Sequence, residues 1–379
     1  MKLAFLQDVY ERPGPFATVY LDTSADAEDA AKAVQLRWRS AREQLAEQGA
    51  DEATLRALDE VVDRHEQRTG RRGQVLVATG GEVVFSEELP EPPQDASDDE
   101  LVHYGTLPYL MPYLRMRAAH VPHVVAVVDH VEAELTVAPS GAEPQSRRVR
   151  GGDHPVHKAH VGSHHENEKN LQYHVEEQWK ENAREAAEEI AKQAMRIGAE
   201  TVVLAGDPQQ RKLVHESLPT GVRERTVQTE AGHTDRKSSG ESLRREVDDT
   251  VWATVETRAD ASIREFEQER GRHERAAEGW RQVVTALQRG QVQTLLWSGS
   301  GEVSWLHVGP VPNQVAMERR ELTDMGVASP GTAPASAAVA WAAAGTDAEM
   351  VMVDPDKFEL DGGIGAILRF PTGSTPQEQ

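Results

Sequence analysis

The sequence predicts a multidomain α/β protein with an N-terminal α/β domain over residues 1–120, a middle domain over 121–238, and a linker helix followed by a C-terminal α/β domain over 239–379. Three observations predict this. A chain of 379 residues is too long for one ordinary core. Short apolar runs typical of strands alternate with segments whose apolar residues recur every three or four positions. Hydrophobic residues make up 38% of the chain, enough to build real cores.

Composition narrows the classes of function. The net charge of −22 argues against a protein that coats nucleic acid over its whole surface, so any RNA contact must be local. The absence of cysteine excludes disulfides, thiolate nucleophiles and cysteine-based metal sites. The longest apolar run, around 333–344, is shorter than the ~20 residues of a membrane span. The N-terminus has no sustained apolar segment, so we expect a cytoplasmic protein.

In the N-terminal domain, apolar patterns predict strands and helices in alternation. The stretch 89–100 is rich in proline and acidic residues and predicts a solvated loop. The stretch Leu107–Arg117 holds two prolines and predicts an extended segment. The predicted strands are Phe16–Asp22, 73–80 and 81–89, and the predicted helices are 25–48 and 51–67.

The middle domain begins with a predicted hairpin, 123–130 and 133–139, and a third strand at 145–152. A loop dense in histidine and glycine follows at 151–169. A long amphipathic helix then runs from about Asn170 to Ile197. Residues 201–207 form a continuous apolar run that predicts a buried strand, and Asp207 is placed to cap a helix over 209–217.

The C-terminal region starts with a second long helix, from about Gly240 to Phe266, and continues as alternating helices and strands. Five tryptophans are predicted to lie in cores, because they fall within apolar helix faces or strands; they are Trp252, Trp280, Trp297, Trp305 and Trp341. The predicted helices are 276–290 and 336–344, and the predicted strands are 291–298, 303–309, 348–354 and 365–370.

Several segments, in this order, resemble the bacterial members of the archaeo-eukaryotic release factor family: GPFATVYLD, GQVLVATGGEVV, LPYLMPYL, VVAVVDHVEAEL, DHPVHK, VVLAGD, LQRGQVQTLL and DGGIGAILRF. The resemblance covers the chain from end to end and is strongest to an actinobacterial branch, family 2. It implies relation to Pelota and to the dormancy factor Balon. It also implies a release-factor-like middle domain and a C-terminal domain with the fold of kink-turn-binding ribosomal proteins.

Release factors of this family carry a Gly-Gly-Gln loop between the hairpin and the long helix of the middle domain. Here Gly151 and Gly152 are followed by Asp153, and no Gly-Gly-Gln occurs in the sequence. The resemblance therefore implies a ribosome-binding hibernation factor of the A site rather than a release enzyme. Its implied partners are ribosomal RNA and ribosomal proteins, with elongation factor Tu as a further candidate. The alternative is a peptidyl-tRNA hydrolase or rescue factor that uses histidines of the loop.

The histidine-rich loop and the strand before it carry the candidate site. Imidazoles stack on bases and donate hydrogen bonds, and arginine and lysine bind phosphates. A metal site at His154, His157 and His160, or a neutral surface loop, are alternatives. We expect RNA binding, without a catalytic residue, bound metal or cofactor. The predicted RNA-binding residues are Arg147, Arg148, Arg150, His154, His157, Lys158, His160, His164, His165 and Lys169.

Two glycine-containing segments are weaker candidates for ligand binding. The segment 361–368 contains three glycines but lacks the lysine and the strand-to-helix context of a phosphate loop, so it predicts a tight turn into the last strand. The segment 205–210 follows a buried strand, where open α/β sheets often bind ligands. A helix start capped by Asp207 is the favoured interpretation there.

Overall fold

The computed structural model describes residues 1–24, 30–64, 71–92, 101–119, 121–139, 144–150, 165–231, 238–272, 274–299 and 303–371, without the side chains of 30, 165–176 and 238–239. The chain forms two compact units. The first unit consists of residues 1–118 and 258–379, and the second unit of residues 119–257. Strands and helices alternate in both, which confirms the predicted α/β class. The three predicted domain boundaries stay a prediction.

The N-terminal part of the first unit is an antiparallel sheet with the strand order β3-β2-β1-β4. Along β1 the side chains alternate between two cores. Ala17 and Val19 pack with the two helices that follow, whereas Phe16 and Tyr20 belong to a core shared with the C-terminal residues. The elements are β1 Phe16–Asp22, β2 Gly73–Thr79, β3 Glu82–Leu89, β4 Val102–Gly105, α1 Gln7–Tyr10, α2 Ala30–Glu47, α3 Glu52–Asp63 and α4 Met111–Ala118.

The C-terminal part of the first unit has two sheets, with strand orders β10-β16-β11-β15 and β13-β12-β14. Within the first sheet β11 and β15 are parallel, and Trp297 lies opposite Met352 at their carboxyl ends. The strands are β10 Ala276–Glu278, β11 Val292–Trp297, β12 Trp305–Val308, β13 Val315–Ala316, β14 Gly331–Pro334, β15 Glu349–Met352 and β16 Ile364–Leu368. The helices are α9 Trp280–Gln288, α10 Arg319–Asp324 and α11 Ala335–Gly345.

The second unit is a five-stranded sheet with the order β7-β6-β5-β8-β9, in which β5, β8 and β9 are parallel. Alternate residues of the strands, among them Val124 and Leu204, form one core with Ile190 and Ala194 of the long helix α5. The strands are β5 His123–Val128, β6 Glu132–Ala138, β7 Gln145–Arg150, β8 Thr201–Gly206 and β9 Thr226–Gln228. The helices are α5 His165–Ile197, α6 Pro208–Ser217, α7 Thr220–Arg223 and α8 Ser238–Arg272, whose residues from 258 onward belong to the first unit.

Two features distinguish this second unit. Helix α5 has 33 residues, but the first buried side chain among those described along it is Ala183. At the end of β8, Gly206 has a φ of +106°, and a Cβ there would lie 2.1 Å from the carbonyl oxygen of Val128. Only glycine fits this approach between the parallel strands β5 and β8.

Two sequence predictions are wrong. The sequence predicts an extended stretch over Leu107–Arg117, but α4 begins at Met111. Pro112 occupies the first turn of α4, where a missing N–H costs the helix nothing. Trp252 and Trp305 are predicted to lie in cores, yet they are 55% and 59% exposed.

These two exposed tryptophans each lie next to a residue that is less exposed. Trp252 follows Val251, one position off the apolar stripe of α8. Trp305 alternates with the buried Leu306 and Val308 along β12. Among the described residues, no helix is long and apolar enough to cross a membrane.

Candidate RNA interface

Two of the predicted RNA-binding arginines form a cross-strand charge ladder with carboxylates of β6. In the register of the two strands, Glu132 lies opposite Arg150 and Glu134 lies opposite Arg148. Arg150 Nε lies 3.7 Å from Glu132 Oε2, and Arg148 Nη2 lies 3.8 Å from Glu134 Oε1. Arg148 Nε also lies 3.9 Å from Glu132 Oε2. Directly opposed opposite charges stabilise a sheet pair, and here they also cancel the charge of the strand.

Arg147 points to the other face of the sheet and contacts helix α5. Its Nη1 donates to Glu189 Oε1 at 2.9 Å, and Gln193 Nε2 donates to the same oxygen at 2.6 Å. Partial burial raises the pKa of Glu189, but hydrogen bonds from Gln193, Lys192 and Arg147 more than offset it and hold this pKa below its ordinary value. Glu189 is therefore a carboxylate at neutral pH, and the Arg147 pair is charged.

An open groove of ≈ 430 Å³ lies between β7 and α5. Three acidic and three basic side chains line it, so its walls favour neither a cation nor an anion. The charged residues that line it are Arg147, Arg148, Glu185, Glu188, Glu189 and Lys192.

The ladder arginines are nevertheless accessible. Their side chains are 53% exposed for Arg148 and 74% for Arg150. Exposed ion pairs contribute only about 0–1 kcal/mol each, so a phosphate oxygen competes on nearly equal terms for these guanidinium groups. The ladder therefore holds the arginines in place without excluding RNA.

The other predicted site residues cannot be placed against these three arginines. His154, His157, Lys158, His160 and His164 lie outside the described residues. His165 and Lys169 fall within the first turns of α5, where the backbone but not the side chains is described. Among the described residues, no group of three or more histidine, aspartate and glutamate side chains could hold a metal ion. The alternative of a metal site at the histidines stays open.

A polar cluster that the sequence analysis missed lies at the carboxyl ends of β5 and β8. The ring of His130 stacks on Trp179 of α5, with centroids 4.1 Å apart and planes at 19°. Gln210 Nε2 lies 3.1 Å from His130 Nδ1, and His130 Nε2 lies 3.7 Å from Asp207 Oδ2. Because Gln210 Nε2 is a donor, Nδ1 accepts and the ring proton sits on Nε2, facing Asp207.

This arrangement joins the end of β5 to helices α5 and α6. The Nδ1 atom of His130 accepts from Gln210, whereas 3.7 Å between Nε2 and Asp207 is too long for a hydrogen bond. The backbone carbonyl oxygen of His130 accepts from Asn182 Nδ2 at 3.0 Å. Asp207 caps α6 through the backbone N–H groups of Gln209 and Gln210, as predicted. The sequence signal for this cluster is the position of His130, two residues after the end of β5, because polar residues that follow the strands of an open sheet lie together at one edge.

The predicted turn at the last strand is also confirmed. Asp361–Gly363 forms a single helical turn with left-handed φ angles at Gly362 and Gly363, and β16 follows directly. No phosphate loop is formed there.

Comparison with known proteins agrees with the family prediction. The model of bacterial archaeo-eukaryotic release factor family 2 matches residues 122–272. The chain is 31% identical over 362 residues to the uncharacterized proteins Rv2629 and MT2704 of two Mycobacterium tuberculosis strains, covering 94% of this chain and 94% of each relative.

Several solved structures align with most of the chain at low sequence identity. The archaeal translation termination factor aRF1 is 17% identical over 97% of both chains, with a TM-score of 0.24. Archaeoglobus fulgidus Pelota is 14% identical over 80% of both, with a TM-score of 0.33, and Saccharomyces cerevisiae Dom34 is 10% identical over 80% of both, with a TM-score of 0.39. The relation to Balon and to an actinobacterial branch stays a prediction. On the family match and the near full-length relatives, the chain belongs to bacterial archaeo-eukaryotic release factor family 2.

Proposed function

We propose that this protein is a ribosome-binding hibernation factor that occupies a vacant A site and does not release peptides. The single observation that carries the proposal is Asp153, which follows Gly151 and Gly152 where release factors of this family carry glutamine. A carboxylate is an anion that only accepts hydrogen bonds at neutral pH. It lacks the amide N–H that positions water and would meet the negative potential of RNA.

RNA contact in this proposal is confined to the second unit. The strand β7 brings Arg148 and Arg150 to the base of the predicted loop, with side chains more than half exposed. The histidines and lysines between His154 and Lys169 continue this basic segment. Since the whole chain carries a net charge of −22, binding depends on a few phosphate contacts at this end. The partners would be ribosomal RNA and ribosomal proteins near the A site, with elongation factor Tu as a candidate carrier, in the cytoplasm.

The experiment has two readouts on the same vacant ribosomes. Co-sedimentation through sucrose measures binding over a series of KCl concentrations, and ribosomes carrying peptidyl-tRNA in the P site report hydrolysis. We expect binding that weakens as salt rises and no release of peptide above the ribosome-only control. The variant R148Q/R150Q should lower binding, because it removes two positive charges from the end of the second unit that approaches RNA.

Hydrolysis is the outcome that would replace this proposal with the second candidate, a peptidyl-tRNA hydrolase or rescue factor. The decisive result is turnover by the natural chain that disappears in the variants H154A, H157A or H160A. The control is H215A, which changes a histidine of α6 outside the loop. Absence of the protein from ribosomes of resting cells would also contradict the hibernation role.

A further inference from the structure

Two hydrogen-bond donors that have no acceptor among the described residues approach the same point in the first unit, whereas the predicted RNA-binding residues belong to the second unit. Trp297 ends β11 and is 5% exposed, and its indole Nε1 is buried without a hydrogen-bond partner. Arg115, in the last turn of α4, is half-buried. Its guanidinium forms no hydrogen bond or ion pair with any residue that the structure describes.

Both donors approach one point beside Gly299. A Cβ added to Gly299 would lie 3.1 Å from Arg115 Nη2 and 3.6 Å from Trp297 Nε1. Gly299 itself has a φ of +80°, in the region that side-chain-bearing residues rarely adopt. Among the residues that the structure describes, the turn after β11 therefore leaves room for a single atom that contacts both donors.

The neighbouring indole shows how a buried indole N–H is paired in this core. Trp280 packs edge-on against Trp297, with ring centroids 5.8 Å apart. Its Nε1 donates to the carbonyl oxygen of Gly362 at 2.9 Å. Buried N–H groups in folded proteins are nearly always paired in this way. A buried indole N–H beside an unpaired guanidinium creates a positive potential, which favours an acceptor that carries negative charge.

The position in the sheet suits a ligand site. Trp297 and Met352 lie opposite each other at the carboxyl ends of the parallel strands β11 and β15. In open α/β sheets, ligands bind beyond this end of parallel strands. We infer that Arg115, Trp297 and the turn at Gly299 form a binding site for an oxyanion. A carboxylate or phosphate oxygen accepts from Arg115 Nη2 and from Trp297 Nε1, while glycine leaves the space for it.

Nuclear magnetic resonance of the full chain labelled with ¹⁵N-tryptophan tests this directly, since each of the 7 tryptophans contributes one indole signal. The variant W297F assigns the signal of interest. Inorganic phosphate and acetate are titrated separately at constant ionic strength, so that the two sources of the oxyanion are distinguished. We expect a saturable downfield shift of the Trp297 indole proton with at least one of them, and binding at least tenfold weaker in R115Q.

The matched control is R281Q, which changes an exposed arginine of α9 and should leave the shift intact. G299A provides a second variant that does not touch either donor: its methyl group occupies the proposed position and should abolish the shift. Thermal unfolding of each variant verifies that it folds, and if R115Q does not, R115K replaces it. R115K keeps the charge but loses the planar fork, so weaker binding is expected.

Three results would overturn the inference. The first is a Trp297 signal that stays fixed throughout both titrations. The second is an equal response in R281Q and R115Q, which would indicate general ion effects. The third concerns Glu302, three positions after Gly299 in the sequence. An upfield move of the ligand-free Trp297 signal in E302Q would mean that the chain fills the site with its own carboxylate, whereas an unchanged signal supports an external anion.

Discussion

Removing the two carboxylates of the charge ladder should convert the β6–β7 face from a neutral to a cationic surface. In the variant E132Q/E134Q, Arg148 and Arg150 lose partners that lie 3.7–3.9 Å away. Glutamine keeps the size of the side chain and its hydrogen-bonding oxygen, so the register of the strands should remain. Because exposed pairs contribute about 0–1 kcal/mol each, the variant should unfold at nearly the same denaturant concentration.

The gain in RNA binding follows from counterion release. Each arginine that neutralises one further phosphate steepens the slope of log Kobs against log[salt] by about 0.7–0.9, so two add about 1.4–1.8. Between about 50 and about 200 mM salt, the affinity of the variant should therefore fall by a factor roughly ten times larger than the factor by which the affinity of the natural chain falls.

The assay is co-sedimentation with vacant ribosomes across that salt range. The matched control is E60Q/D324N, which removes two carboxylates from exposed ion pairs of α3 and α10 and so changes the net charge equally. An unchanged slope in E132Q/E134Q would refute the reasoning that these arginines reach phosphates. An equal change in the control would assign the effect to overall charge.

Further predictions concern stability and its dependence on pH. Phe266 is fully buried and packs edge-on against Phe358. In a denaturant titration, F266A should therefore lower the free energy of unfolding by about 3–5 kcal/mol. The control W252A, at an exposed site, should change it by about 0.5 kcal/mol or less. G206A places a methyl group against the carbonyl oxygen of Val128 and should prevent the second unit from folding, which circular dichroism would detect as a loss of secondary structure. G221A, where no atom lies within 4 Å of an added Cβ, should fold normally. The hydrogen bond from Arg275 holds the pKa of Glu269 below its ordinary value, so this carboxylate stabilises the fold above the ordinary glutamate pKa and the stabilisation is lost as pH falls through the lowered value. The Tm difference between the natural chain and E269Q should therefore shrink as pH is lowered from 7 to 3, and a constant difference would contradict this linkage.

Local patterns predict the long elements well, because their periodicity is set by the cores that they face. The strand Phe16–Asp22 is confirmed at both ends, and the helix predicted from about Asn170 ends at Ile197 as expected. The residues 276–290 are predicted as one helix, but Ala276–Glu278 forms strand β10. Its partner is β16, about 90 positions later in the chain, and no local pattern reports such a pairing.

The site is predictable in composition but not in electrostatics. Arg147, Arg148 and Arg150 are correctly assigned to the strand that precedes the loop. Identifying the carboxylates that pair with these arginines requires two further facts about the fold. Glu132 and Glu134 become visible only when the register of the hairpin is known, and Glu189 comes from α5, about 40 positions away. A basic segment in a sequence therefore shows where the positive charges are, but only the fold shows how far neighbouring carboxylates neutralise them.

The length of helix α5 has a consequence for reach. With a rise of about 1.5 Å per residue, its 33 residues measure about 50 Å, and the backbone of its first residue, His165, lies about 27 Å along the axis from Ala183. Because the helix is continuous, its backbone fixes the axial distance between the first turn and the stretch that packs on the sheet. Inserting or deleting one turn before Ala183 would therefore change that distance by about 5.4 Å while leaving the packed stretch of the helix unaltered.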